Sequence, residues 1–330
     1  MSSLAPTLQA FFTDRLARER RASACTVASY RDTFGLLVAF AHRRTGKEPC
    51  RLDFADIDAP LVGAFLEHLE RERGNSVRTR NARLAAIHSF YRFASFQHPE
   101  HAADIQRVLA IPVKRFERTS VAFLDRPEVT ALLAAPDRST WPGRRDHTLL
   151  LLALQTGLRL SELTGLVRSD LELGAGPHVR CHGKGRKERT TPLTRQTVDA
   201  LRIWLQECGG GPGDPLFPSR GGGRRLSPDA VQLLVHKYAV AARSTCPSLT
   251  GKVVTPHVLR HTSAMQLLHS GVDTSVIALW LGHESIASTQ MYLHADLSLK
   301  ERALARTAPA ETKRGRFKPS DALYAFLKGL

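Results

Sequence analysis

Arginine, lysine, histidine and tyrosine side chains recur through the second half of this sequence in an order that suits one kind of chemistry. Arg159, Lys184, His257, Arg260 and His283 can each hold or protonate a phosphate, and Tyr292 follows nine residues after the last of them. A guanidinium matches two phosphate oxygens with a planar fork, an ammonium or imidazolium delivers a proton, and a phenolate is a nucleophile. Together they describe attack on a phosphodiester without a metal. A phenol of pKa about 10 is only about 0.1% ionised at pH 7, a deficit near 4 kcal/mol that neighbouring cations and a base must offset.

The words around these residues are Thr156-Gly-Leu-Arg-Leu-Ser-Glu-Leu163, His182-Gly-Lys-Gly-Arg-Lys-Glu-Arg189, His257-Val-Leu-Arg-His261, Leu281-Gly-His283 and Tyr292. In that order, and across most of residues 120 to 295, they resemble the catalytic boxes of the tyrosine recombinase (phage integrase) family, in its bacterial site-specific recombinase and integrase branch. The resemblance implies that a phenolate attacks a DNA phosphate to give a 3′-phosphotyrosine and a free 5′-hydroxyl, so that rejoining to a new partner needs neither ATP nor metal, and no cofactor is expected. It makes Tyr292 the nucleophile and Arg159 and Arg260 the clamp on the non-bridging oxygens. Lys184 becomes the general acid, His257 a general base or phosphate ligand, and His283 a further hydrogen bond to the phosphate. Glu162 is implied to orient a guanidinium or cap local backbone. Tyr30, Tyr91, Tyr238 and Tyr324 lack such a context and read as interfacial tyrosines. His261 stands four residues after His257, where a zinc pair is conceivable. With no third ligand at suggestive spacing, support of the helix core is the expected role.

The elements that would carry these residues follow from pattern. A mostly α, α+β chain is expected, with an N-terminal helical bundle over 1–112, a linker over 113–120 and a mainly helical catalytic domain with a small antiparallel sheet over 121–330. Apolar residues recur at helical spacing from about Leu8 to Leu16, Val27 to Ala41, Pro60 to Leu69 and Val77 to Phe96. Ser23 to Tyr30 followed by Phe34 and Phe40 also resembles the SAM-like core-binding domain of the same family. The last stretch places Leu84, Ile87 and Tyr91 on one face and leaves Arg80, Arg83 and Arg92 outside. Arg115 belongs to a basic segment of little periodicity between Ile111 and Ser120. Asp125, Pro127 and Glu128 make a capping box for a helix through Ala134. A helix from Asp146 to Thr156 stops at Gly157, and strands over His178 to His182 and Glu188 to Leu193 flank a Gly-Lys-Gly-Arg turn bearing Lys184. Ser227-Pro228 and Thr255-Pro256 each open a helix, the second putting His257 and Arg260 three apart in its first turn. A helix start offers free N–H groups that suit a phosphate.

Composition supports a nucleic-acid partner. The 330 residues carry a formal charge of +16, which favours a polyanion because neutralising phosphates releases condensed counterions. Arg80, Arg83, Arg115, Arg186, Lys187 and Arg189 are the expected contacts to backbone phosphates. No run approaches the roughly 20 apolar residues of a spanning helix. Five cysteines, odd in number and widely spaced, argue against structural disulfides. A cytoplasmic bacterial protein, on the nucleoid when bound, is expected.

The partners implied by the resemblance are double-stranded DNA with inverted-repeat recombination sites and further copies of the chain, a dimer per site and a tetramer in the synapse. The tail from about 307 to 330 ends in an amphipathic stretch with Leu323, Phe326 and Leu327 on one side, expected to dock on a neighbouring protomer or on its own domain. Its length leans towards a mobile-element integrase. Two other readings share features with this one. A type IB topoisomerase would relax any supercoiled plasmid regardless of sequence, and a DNA-binding protein that kept the fold alone would form no covalent adduct.

Overall fold

A computed structural model of the chain describes residues 4–116, 121–183, 188–221, 223–282, 289 and 292. The chain divides into two compact units, 1–118 and 119–330, with the division inside the expected linker segment. The architecture is mostly helical with one small antiparallel sheet.

The first unit comprises α1 (Leu4–Ala10), continued by the wider π-type turns of Phe11–Glu19, then α2 (Ala24–Thr45), α3 (Ala59–Arg71), α4 (Val77–Ala94) and α5 (Ala102–Leu109). Three of these helices begin on a side chain that accepts from the first turn: Ser23 for α2, Asp58 for α3 and Ser76 for α4. The core is aromatic. Phe90 lies 5.3 Å from Phe34, 5.6 Å from Phe11 and 6.1 Å from Phe54, ring centre to ring centre. Tyr91 is buried beside them and donates its hydroxyl hydrogen to the carbonyl of Ile57.

The surface of α4 departs from expectation. Arg80 is only 6% exposed and donates to Asn81 Oδ1 at 3.0 Å and to the carbonyl of Pro112 at 3.1 Å. Asn81 bonds both the carbonyl and the N–H of Lys114, whose ammonium reaches Glu70 at 2.6 Å. The start of the expected linker is therefore strapped onto α3 and α4, and that strap turns Arg80 inward. Arg83 is half-buried, while Arg92 and Arg115 are exposed.

The second unit comprises α6 (Arg126–Ala134), α7 (Trp141–Thr156), α8 (Leu160–Gly165), β1 (Leu171–Glu172), β2 (His178–His182), β3 (Glu188–Pro192), α9 (Arg195–Cys208), α10 (Pro228–Ala242), α11 (Pro256–His269) and α12 (Thr274–Leu281). The capping box forms as read, with Asp125 and Glu128 each accepting from the other's backbone N–H. Helix α7 starts five residues before the expected Asp146, because Thr140 caps it and Pro142 occupies its first turn. Leu149 to Leu154 are all buried, which is why α7 carries no clear amphipathic stripe; it packs against α6, α9 and α11. The sheet runs β1-β2-β3, with Cys181 opposite Arg189 in the β2–β3 ladder. Strand β1 and helices α5, α8, α9 and α12 were not anticipated. Among the described residues no helix is long and apolar enough to cross a membrane.

Phe90 sits where the aromatic contacts of the first unit meet. Phe90→Ala is expected to cost about 3–5 kcal/mol through lost transfer energy and the cavity left behind. Urea unfolding of the full-length chain reads this directly, and a loss below about 1 kcal/mol would place the core elsewhere.

Candidate active site

The end of α12 gathers the site. A helix leaves its last carbonyls without intrahelical partners and carries partial negative charge there. Here three consecutive carbonyls are taken by three guanidinium groups from three different elements. Arg189 on β3 donates Nε–H to Trp280 O at 3.2 Å, Arg260 on α11 donates Nη2–H to Leu281 O at 2.8 Å, and Arg159, just before α8, donates Nη2–H to Gly282 O at 2.7 Å. Gly282 ends the helix in the left-handed conformation at φ +63°, and a Cβ there would meet Arg189 Nη1 at 2.8 Å. Glycine is thus required for two reasons at one position.

One carboxylate binds two of these arginines. Glu162 Oε1 and Oε2 accept from Arg189 Nη1 at 2.9 Å and Nη2 at 2.7 Å, a bidentate pair, while Arg159 donates its Nη1–H to Oε1 at 2.8 Å and its backbone N–H to Oε2 at 2.7 Å. Burial works to raise the Glu162 carboxyl, but the hydrogen bonds from Arg189 and Arg159 prevail and hold it down at about 2. Among the described residues no carboxylate is bonded to Arg260. It is 3% exposed, its Nη1 donates to Gly157 O at 2.7 Å, and burial, then the nearby charge of Arg159, brings its guanidinium down to about 10. It stays ionised at neutral pH. Gly157 stops α7 at φ +62° and so turns its carbonyl to this arginine. Arg159, by contrast, keeps a third of its side chain exposed.

Tyr292 is 1% exposed and packs in a small cluster with Ala264, Met265 and Leu268 of α11 and Ile277 and Leu281 of α12. Its hydroxyl lies 2.9 Å from Nδ1 of His261. The His261 and His257 rings stand one helical turn apart with centres 4.4 Å apart at 71°, and His257 is exposed. Burial raises the Tyr292 phenol above its usual value, and the charge of Arg260 acts against that rise.

The structure thus brings Arg159, Glu162 and Arg260 together at the end of α12, and places Tyr292, bonded to His261, within the charge of Arg260. Lys184, Arg186, Lys187, His283, Leu323, Phe326 and Leu327 lie outside the described residues. Two expectations are corrected. Arg189, read as a phosphate contact, is turned inward with 12% of its side chain exposed and its fork on Glu162. His261, read as core support, is bonded to the tyrosine hydroxyl instead. Its i, i+4 relation to His257 was the signal that both rings share one face. Among the described residues no group of three His, Cys, Asp or Glu side chains could hold a metal ion.

A helix end that gathers three guanidinium groups, two of them on one carboxylate, with a buried phenol bonded to an imidazole within the charge of the third, holds the groups that transesterification at a phosphate requires. Residues 122–298 match the phage integrase family model, and residues 10–98 match that of the phage integrase N-terminal SAM-like domain. The chain belongs to the phage integrase family, the tyrosine recombinases. It is 60% identical over 329 residues to the Sinorhizobium fredii integrase/recombinase y4rC, covering 100% of this chain and 99% of that protein. It is 34% identical over 285 residues to tyrosine recombinase XerC of Xanthomonas campestris pv. campestris, covering 86% of this chain and 83% of that one. In fold it is similar to a lambda integrase dimer bound to a COC′ core site, at 18% identity, with 94% of this chain and 80% of that chain covered and a TM-score of 0.63.

The clasp on Glu162 sets a pH signature. A carboxyl held below its ordinary value of 4.5 contributes stability above that value and loses it as pH falls through about 2. Glu162→Gln leaves buried guanidinium charge uncompensated and is expected to destabilise the protein by about 3–5 kcal/mol at neutral pH. In urea titrations at stepped pH the gap to the native chain should stay full above pH 4.5 and narrow towards pH 2; a gap independent of pH would contradict the clasp.

Proposed function

We propose that Tyr292 is the nucleophile with which this recombinase opens a DNA strand, forming a 3′-phosphotyrosine bond and freeing a 5′-hydroxyl. The observation that supports this reading is the placement of the Tyr292 hydroxyl 2.9 Å from His261 on α11, the helix whose Arg260 shares the end of α12 with Arg159 and Arg189. A phosphorus within reach of that phenol would lie among fixed cations whose excess over Glu162 suits a phosphate gaining negative charge in the transition state.

In this reading Arg159 and Arg260 brace the non-bridging oxygens, Lys184 protonates the departing 5′-oxygen, and His257 and His283 hydrogen-bond the phosphate. Glu162 orients Arg159, and Arg189 holds Glu162. No ATP takes part, because the phosphotyrosine conserves the energy of the broken bond, and the arginines supply the positive charge that a metal would otherwise bring. The substrate is double-stranded DNA with inverted-repeat recombination sites, met in the cytoplasm and, once bound, on the nucleoid. Arg83, Arg115, Arg186 and Lys187 contact its backbone, while the burial of Arg80 and Arg189 removes them from that set.

The direct test is a nicked suicide duplex carrying an inverted repeat selected from a randomised duplex pool by binding to the full-length chain. The native protein should accumulate a covalent adduct that resists denaturant, and Tyr292→Phe should give none while binding the duplex within a few-fold. An adduct of undiminished yield in Tyr292→Phe would assign the nucleophile elsewhere.

Two protomers on each site and four in the synapse follow from the inverted repeats. The lambda integrase dimer on its core site supports the first number by fold alone. The tail helix with Leu323, Phe326 and Leu327 is proposed to dock in trans. Deleting residues 317 to 330 should spare single half-site binding and reduce cooperative occupancy of the paired site at least tenfold by gel shift; unchanged cooperativity would defeat the exchange.

A further inference from the structure

The nucleophile needs a proton acceptor. A phenol cannot complete an O–P bond while keeping its hydrogen, and the Arg260 guanidinium whose charge acts on Tyr292 is a donor with no acceptor lone pair. Two imidazoles stand on this face of α11. His257 is exposed and occupies the first turn, where a helix start favours a bound phosphate. His261 is half-buried, and its Nδ1 meets the hydroxyl of Tyr292 at 2.9 Å, with ring centres 5.5 Å apart at 67°. That distance lies within hydrogen-bond reach, the first requirement of a general base. The edge-to-face contact with His257 at 4.4 Å buttresses the His261 ring from the other side.

We infer that His261, and not His257, is the base that accepts the Tyr292 proton during strand cleavage. This rests on the reading of Tyr292 as nucleophile. In the step, the phenolic oxygen bonds to phosphorus as its hydrogen passes to Nδ1 of His261, and the bond from phosphorus to the 5′-oxygen breaks as that oxygen takes a proton from Lys184. In rejoining, the incoming 5′-hydroxyl returns its proton to the lysine and the imidazolium returns its own to the phenolic oxygen, so the cycle closes with no net change. His257 is left to hold the phosphate. The two histidines divide the labour that a single residue was expected to perform.

The discriminating variant is His261→Asn, whose Oδ1 sits close to the place of Nδ1 and can still accept the tyrosine hydrogen bond but is not basic. Single-turnover cleavage of the suicide duplex is expected to fall by about 10²–10⁴-fold, the usual contribution of a positioned base. Replacing Tyr292 by a trifluorotyrosine, whose phenol ionises readily at neutral pH, should recover at least tenfold of that loss while leaving the native chain nearly unchanged. A substrate with sulfur in place of the 5′-bridging oxygen, which leaves without a proton, should recover none of it. If His261→Asn cleaves within a few-fold of the native chain, or if its deficit is the same with the fluorinated phenol, His261 only positions the tyrosine and the inference fails. Rescue by the bridging sulfur would put His261 on the leaving-group side and overturn it as well. Should His261→Asn not fold, as judged by thermal unfolding, His261→Gln is read in the same three assays. The native chain separates the two layers of argument, since absence of any adduct from it would sink the tyrosine assignment itself.

Discussion

The C-terminus of α12 is the constraint on which the described site depends. Three carbonyls in succession, of Trp280, Leu281 and Gly282, would otherwise face the cost of unmet hydrogen bonds at a half-buried helix end. Each is met by an arginine from a different part of the chain, so β3, α11 and the start of α8 are fixed relative to one another by a single helix end. Guanidinium groups repel one another, and what holds them close is that each donates to its own dipole before it meets its neighbour's charge. The left-handed turn at Gly282 is what allows the third carbonyl to point inward.

This arrangement explains how so much positive charge is tolerated. Glu162 neutralises Arg159 and Arg189 in part, and among the described residues no carboxylate is bonded to Arg260. Burial lowers the Arg260 guanidinium to about 10, which leaves it charged at neutral pH, with two carbonyls as its hydrogen-bond acceptors among the described residues. Each η nitrogen carries a second hydrogen beyond the one given to a carbonyl. A site with excess fixed cations and donors already aimed has met its reorganisation cost at folding, and an anion that gains charge is what it stabilises most. The same imbalance makes Glu162 costly to lose, because the carboxylate is the local counter-charge for two buried forks.

Much of this was legible in the sequence, and the reasons differ element by element. The helices opened by Asp125, Ser227 and Thr255 were readable because capping is local chemistry, decided within four residues. Helix α7 was read too short at its start, where the Thr140 cap was passed over and Pro142 and Gly143 stand in the first turn. Helix α9 carries an amphipathic pattern in Val198, Leu201 and Trp204 that the reading passed over. Arg80 and Arg189 were misjudged for a common reason. Both belong to basic clusters, and charge alone says nothing of direction. Asn81 and the carbonyl of Pro112 turn one inward, and Glu162, 27 residues away in sequence, claims the other. No local pattern announces a partner at that separation.

The placement of Tyr292 shows why fold and chemistry cannot be separated here. Its ring is held by apolar residues of α11 and α12, and its hydroxyl by His261 on α11, the helix that also carries Arg260. One helix therefore carries three functions at successive positions. Val258 and Leu259 anchor it in the core, Arg260 faces the α12 carbonyls, and His261 faces the phenol. A rotation of α11 by one residue, about 100°, would exchange these faces and separate the phenol from both the imidazole and the cation at once. The buried contact of Thr262 with the backbone of Leu124, at 2.9 Å, pins that rotation from outside the site. The register of a single helix, set by a threonine cap at one end and by this hydrogen bond in the middle, is what brings arginine, imidazole and phenol to one place.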